Sequence, residues 1–448
     1  MYSLNDNIVA LATAPGSSAL SVVRCSGPQV LFFLKKIIFK KKLTSPKTVS
    51  LCSIFNPVNK KQIDQCLVVF FKGPNSFTGD DVVEFSLHGG SVISSKIIQV
   101  LIDLGCREAS PGEFTYRAFI NGKIDLIQAE AINSLIKTSK DVNAFYASKN
   151  VEGFLSKSLV ECQKKLKELI TYIEHELDFT EEEIGHVSVE NYLLQTTKII
   201  KEAKKIERSS FVGSEQNTDL EVCIAGKPNA GKSSLFNRLV GKNRSIVTSA
   251  SGTTRDFISA SFVVDGFLVD LVDTAGLRVS SDKVEKQGID RALSKIKQSD
   301  IILFVSEENP LKDFKSFNFS LNPSQKTLFI QNKTDINKKN KNTSVFNVSC
   351  KTKKGLRELQ TELSTLIKAQ KESFYIKNKY LISSRAQKGL SSFIKSLKTA
   401  HKNLKNNRDL VVFVSSLYVA QESIQGTINP TNKSEIINNI FKGFCVGK

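Results

Sequence analysis

The chain of 448 residues has no C-x-x-C pair, although it carries eight cysteines: Cys25, Cys52, Cys66, Cys106, Cys162, Cys223, Cys350 and Cys445. Without that spacing, a metal knuckle or a thioredoxin-type motif is unsupported. Cysteines scattered singly suit the reduced thiols of a cytosolic protein better than a disulfide framework. No apolar run reaches 18 residues, and no basic segment leads into an apolar core at the N-terminus. Membrane spanning and secretion are both unsupported, so the expectation is a cytoplasmic protein without membrane contact. No proline lies between Pro111 and Pro228, which leaves that stretch open to long helices. No internal repeat is visible.

What the chain has in excess is positive charge. Lys and Arg number 63 against 44 Asp and Glu, a formal net of +19. Such an excess does not set a fold, but it favours polyanionic partners. A chain this long exceeds one hydrophobic core, so several domains are expected.

Four stretches differ in character. Residues 1–120 mix short apolar segments with turn signals such as Pro15-Gly16, Gly89-Gly90 and Pro111-Gly112, and Val92 to Leu104 has a helical apolar pattern; this reads as a small α/β domain. Ile8 to Arg24 reads as strands, internal or offered to a partner subunit. Residues 121–217 are helical: Leu155, Leu159, Leu166, Leu169 and Ile173 recur at helix spacing, and Ser209 to Asp219 reads as a polar linker. Residues 218–371 alternate strand-like runs (Leu268 to Val272, Ile301 to Val305, Thr327 to Ile330, Ser344 to Val348) with helical ones, the pattern of a mostly parallel sheet. Residues 372–448 return to helix. From 371 onward there are 13 Lys or Arg against 4 Asp or Glu. The two helical stretches flank the third segment, so that segment reads as an insertion into one helical domain.

Gly226 to Ser233 spell G-K-P-N-A-G-K-S between a strand-like Glu221 to Ala225 and a helix-like Ser234 to Val240. A strand, a glycine-rich turn and a helix N-terminus aim backbone N–H groups at one point, which suits a β-phosphate. The contacting set is Asn229, Ala230, Gly231, Lys232, Ser233 and Ser234. Lys232 would stand against the β and γ oxygens, and Ser233 would hold Mg²⁺. Asn332-Lys333-Thr334-Asp335 follows a strand-like run. A carboxylate at Asp335 would accept from guanine N1–H and N2–H together, which adenine does not offer. Asp273-Thr274-Ala275-Gly276 resembles the D-x-x-G switch: Asp273 would reach Mg²⁺ through water, and the Gly276 N–H would meet the γ-phosphate. Thr254, within Gly252 to Asp256, would complete the Mg²⁺ shell. Ser349-Cys350-Lys351 stands where S-A-K usually meets guanine O6 through backbone N–H. Each tetrapeptide alone is a weak signal; four in GTPase order and spacing, each beside a predicted strand, are not.

Further residues extend the match beyond the nucleotide motifs. They include Phe77-Thr78-Gly79-Asp80-Asp81, His88-Gly89-Gly90, Pro111-Gly112-Glu113-Phe114, Arg117-Ala118-Phe119, Asn121 to Leu126 and Gln128-Ala129-Glu130-Ala131. Cys445-Val446-Gly447-Lys448 resembles a C-x-G-K terminus. Together they resemble the bacterial tRNA modification GTPase family MnmE, also called TrmE, over almost the whole chain. The resemblance implies a multidomain α/β plus α protein, with an N-terminal folate-binding-like domain, a helical domain and an inserted P-loop GTPase domain.

It also implies a function. Members are homodimers joined by their N-terminal domains. With the FAD-dependent partner MnmG (GidA), they install an aminomethyl-type group on C5 of the wobble uridine of certain tRNAs. Their GTP hydrolysis needs K⁺; carried over, Asn229 supplies a ligand while Thr248, Ala250 and Thr253 surround the ion, Thr248 and Thr253 also facing the nucleotide. No glutamine follows Gly276, where Leu277 stands. The family's water-orienting glutamate corresponds to Glu285, which with Lys232 makes the catalytic pair. A formyl-tetrahydrofolate would meet Arg24, Glu84, Lys123 and Lys448, with Cys445 as the thiol of functional interest. Departures from the family are Pro15 to Ala19 (P-G-S-S-A in place of a glycine- and arginine-rich stretch), Asp80 for Glu, Cys350 for Ala, Val446 for Ile, and Arg385-Ala386-Gln387 without paired histidines. The other reading of these motifs is an RNA-binding GTPase of ribosome assembly, which would share the nucleotide loops but lack both flanks.

Overall fold

The computed structural model describes residues 4–38, 45–138, 141–178, 188–213, 220–241, 258–264, 267–273, 294–317, 321–322, 325–337, 339–430 and 440–447. The chain divides into two compact units: residues 1–137, 146–212 and 380–448 form one, and 138–145 with 213–379 form the other.

The first unit opens with a six-stranded sheet in the order β3-β4-β5-β2-β1-β6. Its strands are β1 (Asn7–Leu11), β2 (Leu20–Ser26), β3 (Ser50–Phe55), β4 (Gln62–Phe71), β5 (Val82–His88) and β6 (Cys106–Glu108). All neighbours are antiparallel except β1 and β6. Alternation in β4 sends Asp64, Cys66, Val68 and Phe70 inward. Val23, Phe85, Phe33, Leu34, Ile97 and Leu101 share that core, the last four from helices Val30–Ile37 and Ser91–Asp103. The same alternation turns Arg24 and Glu84 away from this core, and they stand directly opposite each other in the β2–β5 register.

The rest of this unit is a bundle built on helices Phe154–Asp178, Val189–Arg208, Ser384–Asn407 and Leu410–Ile428. Its core takes Leu155, Leu159, Leu166, Leu169 and Ile173 as the helical spacing predicts, and meets Phe393, Leu397, Phe413 and Leu417 from the C-terminal pair. The segment read as a polar linker starts differently from that reading. Ser210–Val212 is a strand, β7, and its partner lies far along the chain. The helix Leu126–Lys137 begins with a capping box: Gln128 N donates to Asp125 Oδ1 (2.8 Å) and Asp125 N to Gln128 Oε1 (3.0 Å). Glu130 on that helix holds Arg385 (2.7 Å) and Ser383 (2.8 Å), and Arg385 donates onward to the Gly426 and Thr427 carbonyls. The Q-A-E-A motif therefore joins three helices at one ion pair.

The second unit is a doubly wound sheet in the order β13-β12-β11-β8-β10-β9. Its strands are β8 (Glu221–Gly226), β9 (Ile258–Val264), β10 (Phe267–Asp273), β11 (Ile301–Ser306), β12 (Lys326–Gln331) and β13 (Val345–Asn347). Only β9 runs antiparallel. Every residue of β11 and all but the last of β8 are buried, as expected for central parallel strands covered on both faces. Helices Lys232–Val240, Pro310–Ser316 and Leu356–Lys377 supply the cover. Asn309 caps the second of these, accepting from Lys312 N (3.1 Å) ahead of Pro310. The first unit resumes at β14 (Tyr380–Ile382), which pairs in parallel with β7, Tyr380 opposite Ser210. The chain thus leaves that unit and re-enters it on adjacent strands.

Several residues of the N-terminal motifs form a buried ion network. Arg117 and Glu113 have no exposed side-chain surface; Arg107 donates to both Glu113 oxygens (2.8 and 2.5 Å), and Asp6 receives Arg107 (2.6 Å) and Arg117 (2.5 Å). Burial alone would raise the Asp6 pKa, but the two guanidiniums outweigh it and lower it. Removing one member strands a buried charge, which costs about 3–5 kcal/mol. Arg117→Ala should therefore expose β1 and β6 to hydrogen exchange at lower urea than in the wild type. Unchanged exchange in those strands would show the network to be dispensable.

Candidate functional site

The phosphate loop leaves the carboxyl end of β8, the middle strand of the second unit. Gly226 has φ 141°, and a Cβ there would lie 2.0 Å from the Val305 oxygen. Asn229 takes the left-handed region at φ 63°, which asparagine tolerates better than most side chains. Gly231, at φ 84°, is the N-cap of helix Lys232–Val240, and a Cβ on it would lie 2.2 Å from Asn332 Nδ2. The loop is thus drawn tight by close contacts, to backbone at Gly226 and to the Asn332 side chain at Gly231, that only glycine permits. Lys232 is buried and its Nζ donates to the carbonyls of Gly226 (2.9 Å) and Lys227 (2.7 Å). Its charge is held across the mouth of the loop, while Asn229, Ser233 and Ser234 are exposed and Ala230 is buried.

The other loops leave the same edge of the sheet. Asn332 to Asp335 follow β12 and Ser349 to Lys351 follow β13, while Asp273 ends β10, its Cα opposite Ile224 of β8. In open α/β sheets this carboxyl edge is where ligands bind. Asn332 joins two of the loops: its side chain donates to the Ala230 oxygen (3.0 Å) and accepts from Cys350 N (3.3 Å). Ser349 Oγ donates to Asp335 Oδ1 (2.7 Å), and that bond is the chief reason the Asp335 pKa lies below its ordinary value. The carboxylate is exposed, ionised at neutral pH and oriented by the Ser349 hydroxyl and its own backbone N–H. Arg238 holds the third loop from below, donating to the Cys350 oxygen (2.9 Å). Burial raises the Cys350 pKa, which keeps its thiol neutral. Lys333 pairs with Glu307 (2.5 Å), and Lys351 is exposed.

No pattern in the sequence marks the residues that brace this edge. Lys227 of the phosphate loop pairs with Asp313, which also accepts from Ser306 Oγ (2.6 Å). Burial alone would raise the Asp313 pKa; the bonds from Lys227 and Ser306 reverse that and lower it. Asp313 is 86 residues from Lys227, so no local pattern links the two. Thr248, Ala250, Thr253, Thr254, Gly276 and Glu285 lie outside the described residues, as does the side chain of Asp273.

The residues assigned to folate divide between places. Arg24 Nε donates to Glu84 (2.7 Å) and its NH1 to the Gly447 oxygen (3.2 Å), with the rings of Phe77 and Phe114 at 5.8 and 5.7 Å. The C-terminal segment is seated there by close backbone approach. Gly112 N donates to the Cys445 oxygen (3.3 Å), and a Cβ on Gly447 would lie 2.3 Å from the Leu11 oxygen. Phe441 and Phe444 fill a small core with Tyr116 and Phe119. Cys445 is exposed beside this junction. Lys123 instead lines a separate cavity of about 500 Å³ with Phe119, Asp125, Gln128, Gln425 and Asn429. Lys448 lies outside the described residues. Among the described residues no cluster of His, Cys, Asp and Glu could hold a metal ion, and no helix is long and apolar enough to cross a membrane.

The crowding at Gly231 makes a direct test of the loop. Gly231→Ala should weaken GDP binding at least tenfold by calorimetry, because the methyl group has to displace the Asn332 amide. Gly426, which has no atom within 4 Å of an added Cβ, should accept alanine without effect. Equal affinity in both variants would mean that the loop opens freely at this point.

Comparison with known proteins agrees with the two flanks as well as the middle. The family model described as the GTP-binding protein TrmE N-terminus matches residues 7–123, and the one described as the MnmE helical domain matches residues 126–445. The tRNA modification GTPase MnmE of Legionella pneumophila (strain Philadelphia 1) is 35% identical over 99% of each chain. That of Aquifex aeolicus is 32% identical over 99% of this chain and all of its own. That of Wigglesworthia glossinidia brevipalpis is 36% identical over 99% of each. Among solved structures, the G domain of the T. maritima FeoB iron transporter is 26% identical, over 33% of this chain and 98% of its own, at a TM-score of 0.27. Matched along its whole length by relatives of one kind, and in both flanks by that family's own models, this chain belongs to the MnmE (TrmE) family of tRNA modification GTPases.

Proposed function

We propose that this chain hydrolyses GTP in support of tRNA modification, as a K⁺-dependent enzyme acting at C5 of the wobble uridine together with an FAD-dependent partner of the MnmG type. The GTPase part rests on one observation above the rest. Three nucleotide loops leave the carboxyl edge of one parallel sheet, and Asn332 ties the phosphate loop to the guanine-side loop. Asp335 accepts from guanine, Lys232 opposes charge on the β and γ oxygens, and the N-terminus of helix Lys232–Val240 faces the phosphates.

The phosphate cradle fits a nucleotide with its metal ions. Ser233, exposed in the first helical turn, would hold Mg²⁺ with Thr254 and, through water, Asp273; the exposed Asn229 would hold K⁺ with Thr248, Ala250 and Thr253. When bound, such cations offset the charge that builds on the phosphate oxygens in the transition state. Glu285 would orient the attacking water. Its distance in sequence from the D-x-x-G motif makes switch ordering, through pairing of two GTPase domains, the step that brings it into place.

The remaining parts of the reading concern the first unit. A homodimer through residues 1–120 and a formyl-tetrahydrofolate at Arg24 and Glu84 complete it, with Cys445 beside that pair. The Arg24 guanidinium that meets Glu84 also meets the C-terminal segment, so a ligand there would sense the position of that segment. The domain limits proposed are 1–120, 121–217, 218–371 and 372–448, the third inserted into the helical domain.

Steady-state hydrolysis should be several-fold faster in KCl than in NaCl, since Na⁺ is too small to span the same ligands. Asn229→Ala should lose that stimulation and keep most of its GTP affinity, because the side chain is exposed and braces no other loop among the described residues. Equal rates in the two salts would remove K⁺ from the mechanism.

A further inference from the structure

The helical bundle carries a run of positive charge that the nucleotide chemistry does not use. Between Ser384 and Arg408 there is no Asp or Glu. Lys388, Lys395, Lys398, Lys402 and Lys405 recur there at spacings of seven, three, four and three, which places them on one face of helix Ser384–Asn407. All five are exposed, and none makes an ion pair among the described residues. At 1.5 Å per residue they mark out a line of about 25 Å.

The neighbouring helix Val189–Arg208 extends the patch. It runs antiparallel: Ser391 Oγ donates to Glu207 (2.6 Å), Thr197 meets His401 (3.2 Å) and Arg408 donates to Glu190 (3.1 Å). Lys198, Lys201 and Lys205 are exposed at spacings of three and four. The acids of this helix are already engaged: Glu190 with Arg408, Glu202 with Lys165, and Glu207 with Ser391. A shallow groove of about 460 Å³ lies here, lined by Ser391, Lys395, Lys398, Thr399, Lys402 and Glu207.

Two features identify what this surface suits. Like charges three and four residues apart repel one another on a helix, so a face on which lysines recur at these spacings gains from an anionic partner. Ser391, Thr399 and Asn403 stand among the lysines; the two hydroxyls donate to Glu207 and to the Lys395 carbonyl, and the Asn403 amide is a neutral group able to donate to phosphate and sugar oxygens. An interfacial membrane helix would need exposed Leu, Phe or Trp in this place. We propose that the paired face of helices Val189–Arg208 and Ser384–Asn407 holds the sugar–phosphate backbone of the tRNA on which this protein acts. The proposal rests on the tRNA reading above and adds the surface to it. Contacts of this kind position the RNA without reading bases, leaving selection of the target uridine to the reacting groups.

The test is anisotropy of a fluorescently labelled tRNA transcript with uridine at the wobble position, titrated with the full chain between 50 and 200 mM KCl. In Lys395→Gln/Lys398→Gln/Lys402→Gln, affinity should fall at least tenfold. The slope of log K against log salt should shrink by about 2–3, since each lost phosphate contact removes roughly 0.7–0.9. GTP hydrolysis without RNA should be unchanged, and the triple arginine variant should bind as the wild type does. Lys61→Gln/Lys72→Gln/Lys96→Gln, which removes the same charge from the region that precedes the helical bundle, at the ends of β4 and on helix Ser91–Asp103, should also bind normally. If the glutamine triple keeps wild-type affinity and slope, the surface is wrong while the tRNA reading stands. If the wild type fails to bind this transcript even at 50 mM salt, both are overturned.

Discussion

A single buried amide holds the nucleotide site together. Asn332 is 2% exposed, donates through its side chain to the phosphate loop at Ala230 and accepts from the third loop at Cys350, while its backbone N–H bonds to Ser306. A net hydrogen bond is worth about 0.5–1.5 kcal/mol, but a buried polar group left without its partner costs about 1–3 kcal/mol. The two loops are therefore not independently mobile: shifting either one leaves this amide unsatisfied. The glycine at position 231 follows from the same contact, because the amide nitrogen occupies the space a side chain would take. On the proposed reading, sensing of phosphate and sensing of base become one structural event.

Backbone proximity plays the equivalent part in the first unit. Gly112 and Gly447 allow the C-terminal segment to lie against the N-terminal sheet, where Arg24 receives the Gly447 carbonyl and Phe441 and Phe444 complete a small core. The exposed thiol of Cys445 is placed by that seating, through the bond from Gly112 N to the Cys445 carbonyl. The buried Arg117–Glu113 pair and the Glu130–Arg385 pair fix the helices that adjoin it. Motifs that read as family signatures turn out here to be mainly the means of positioning the junction.

The central strands of the GTPase sheet were legible because continuous apolar runs next to glycine-rich turns have few other readings. Glu221 to Ala225 falls short of β8 by one residue, and Leu268 to Val272 lies inside β10. The β7–β14 ribbon was not legible: Ser210 and Tyr380 are far apart in sequence, and three-residue strands carry no period. The bracing of the phosphate loop by Asp313 was hidden for the same reason, since an ion pair across 86 residues leaves no local trace. Of the residues proposed for folate, Arg24 and Glu84 come from the resemblance alone, and it is the β2–β5 register that sets them opposite each other; local sequence pattern did not show that pairing. That pattern had no means of showing that Lys123, after the turn at Gly122, would face a different cavity. Arg385 stood out only as a departure from the family, and its role with Glu130 emerged from packing.

Asn332 couples the proposed phosphate and base loops, and one comparison of affinities tests that coupling. Asn332→Ala should weaken GTP, GDP and xanthosine triphosphate by similar factors of ten or more, because the phosphate loop loses its brace whichever base is bound. If Asn332→Ala instead weakened the guanine nucleotides alone and left xanthosine triphosphate at its wild-type affinity, the amide would serve only the base, and the coupling would be contradicted.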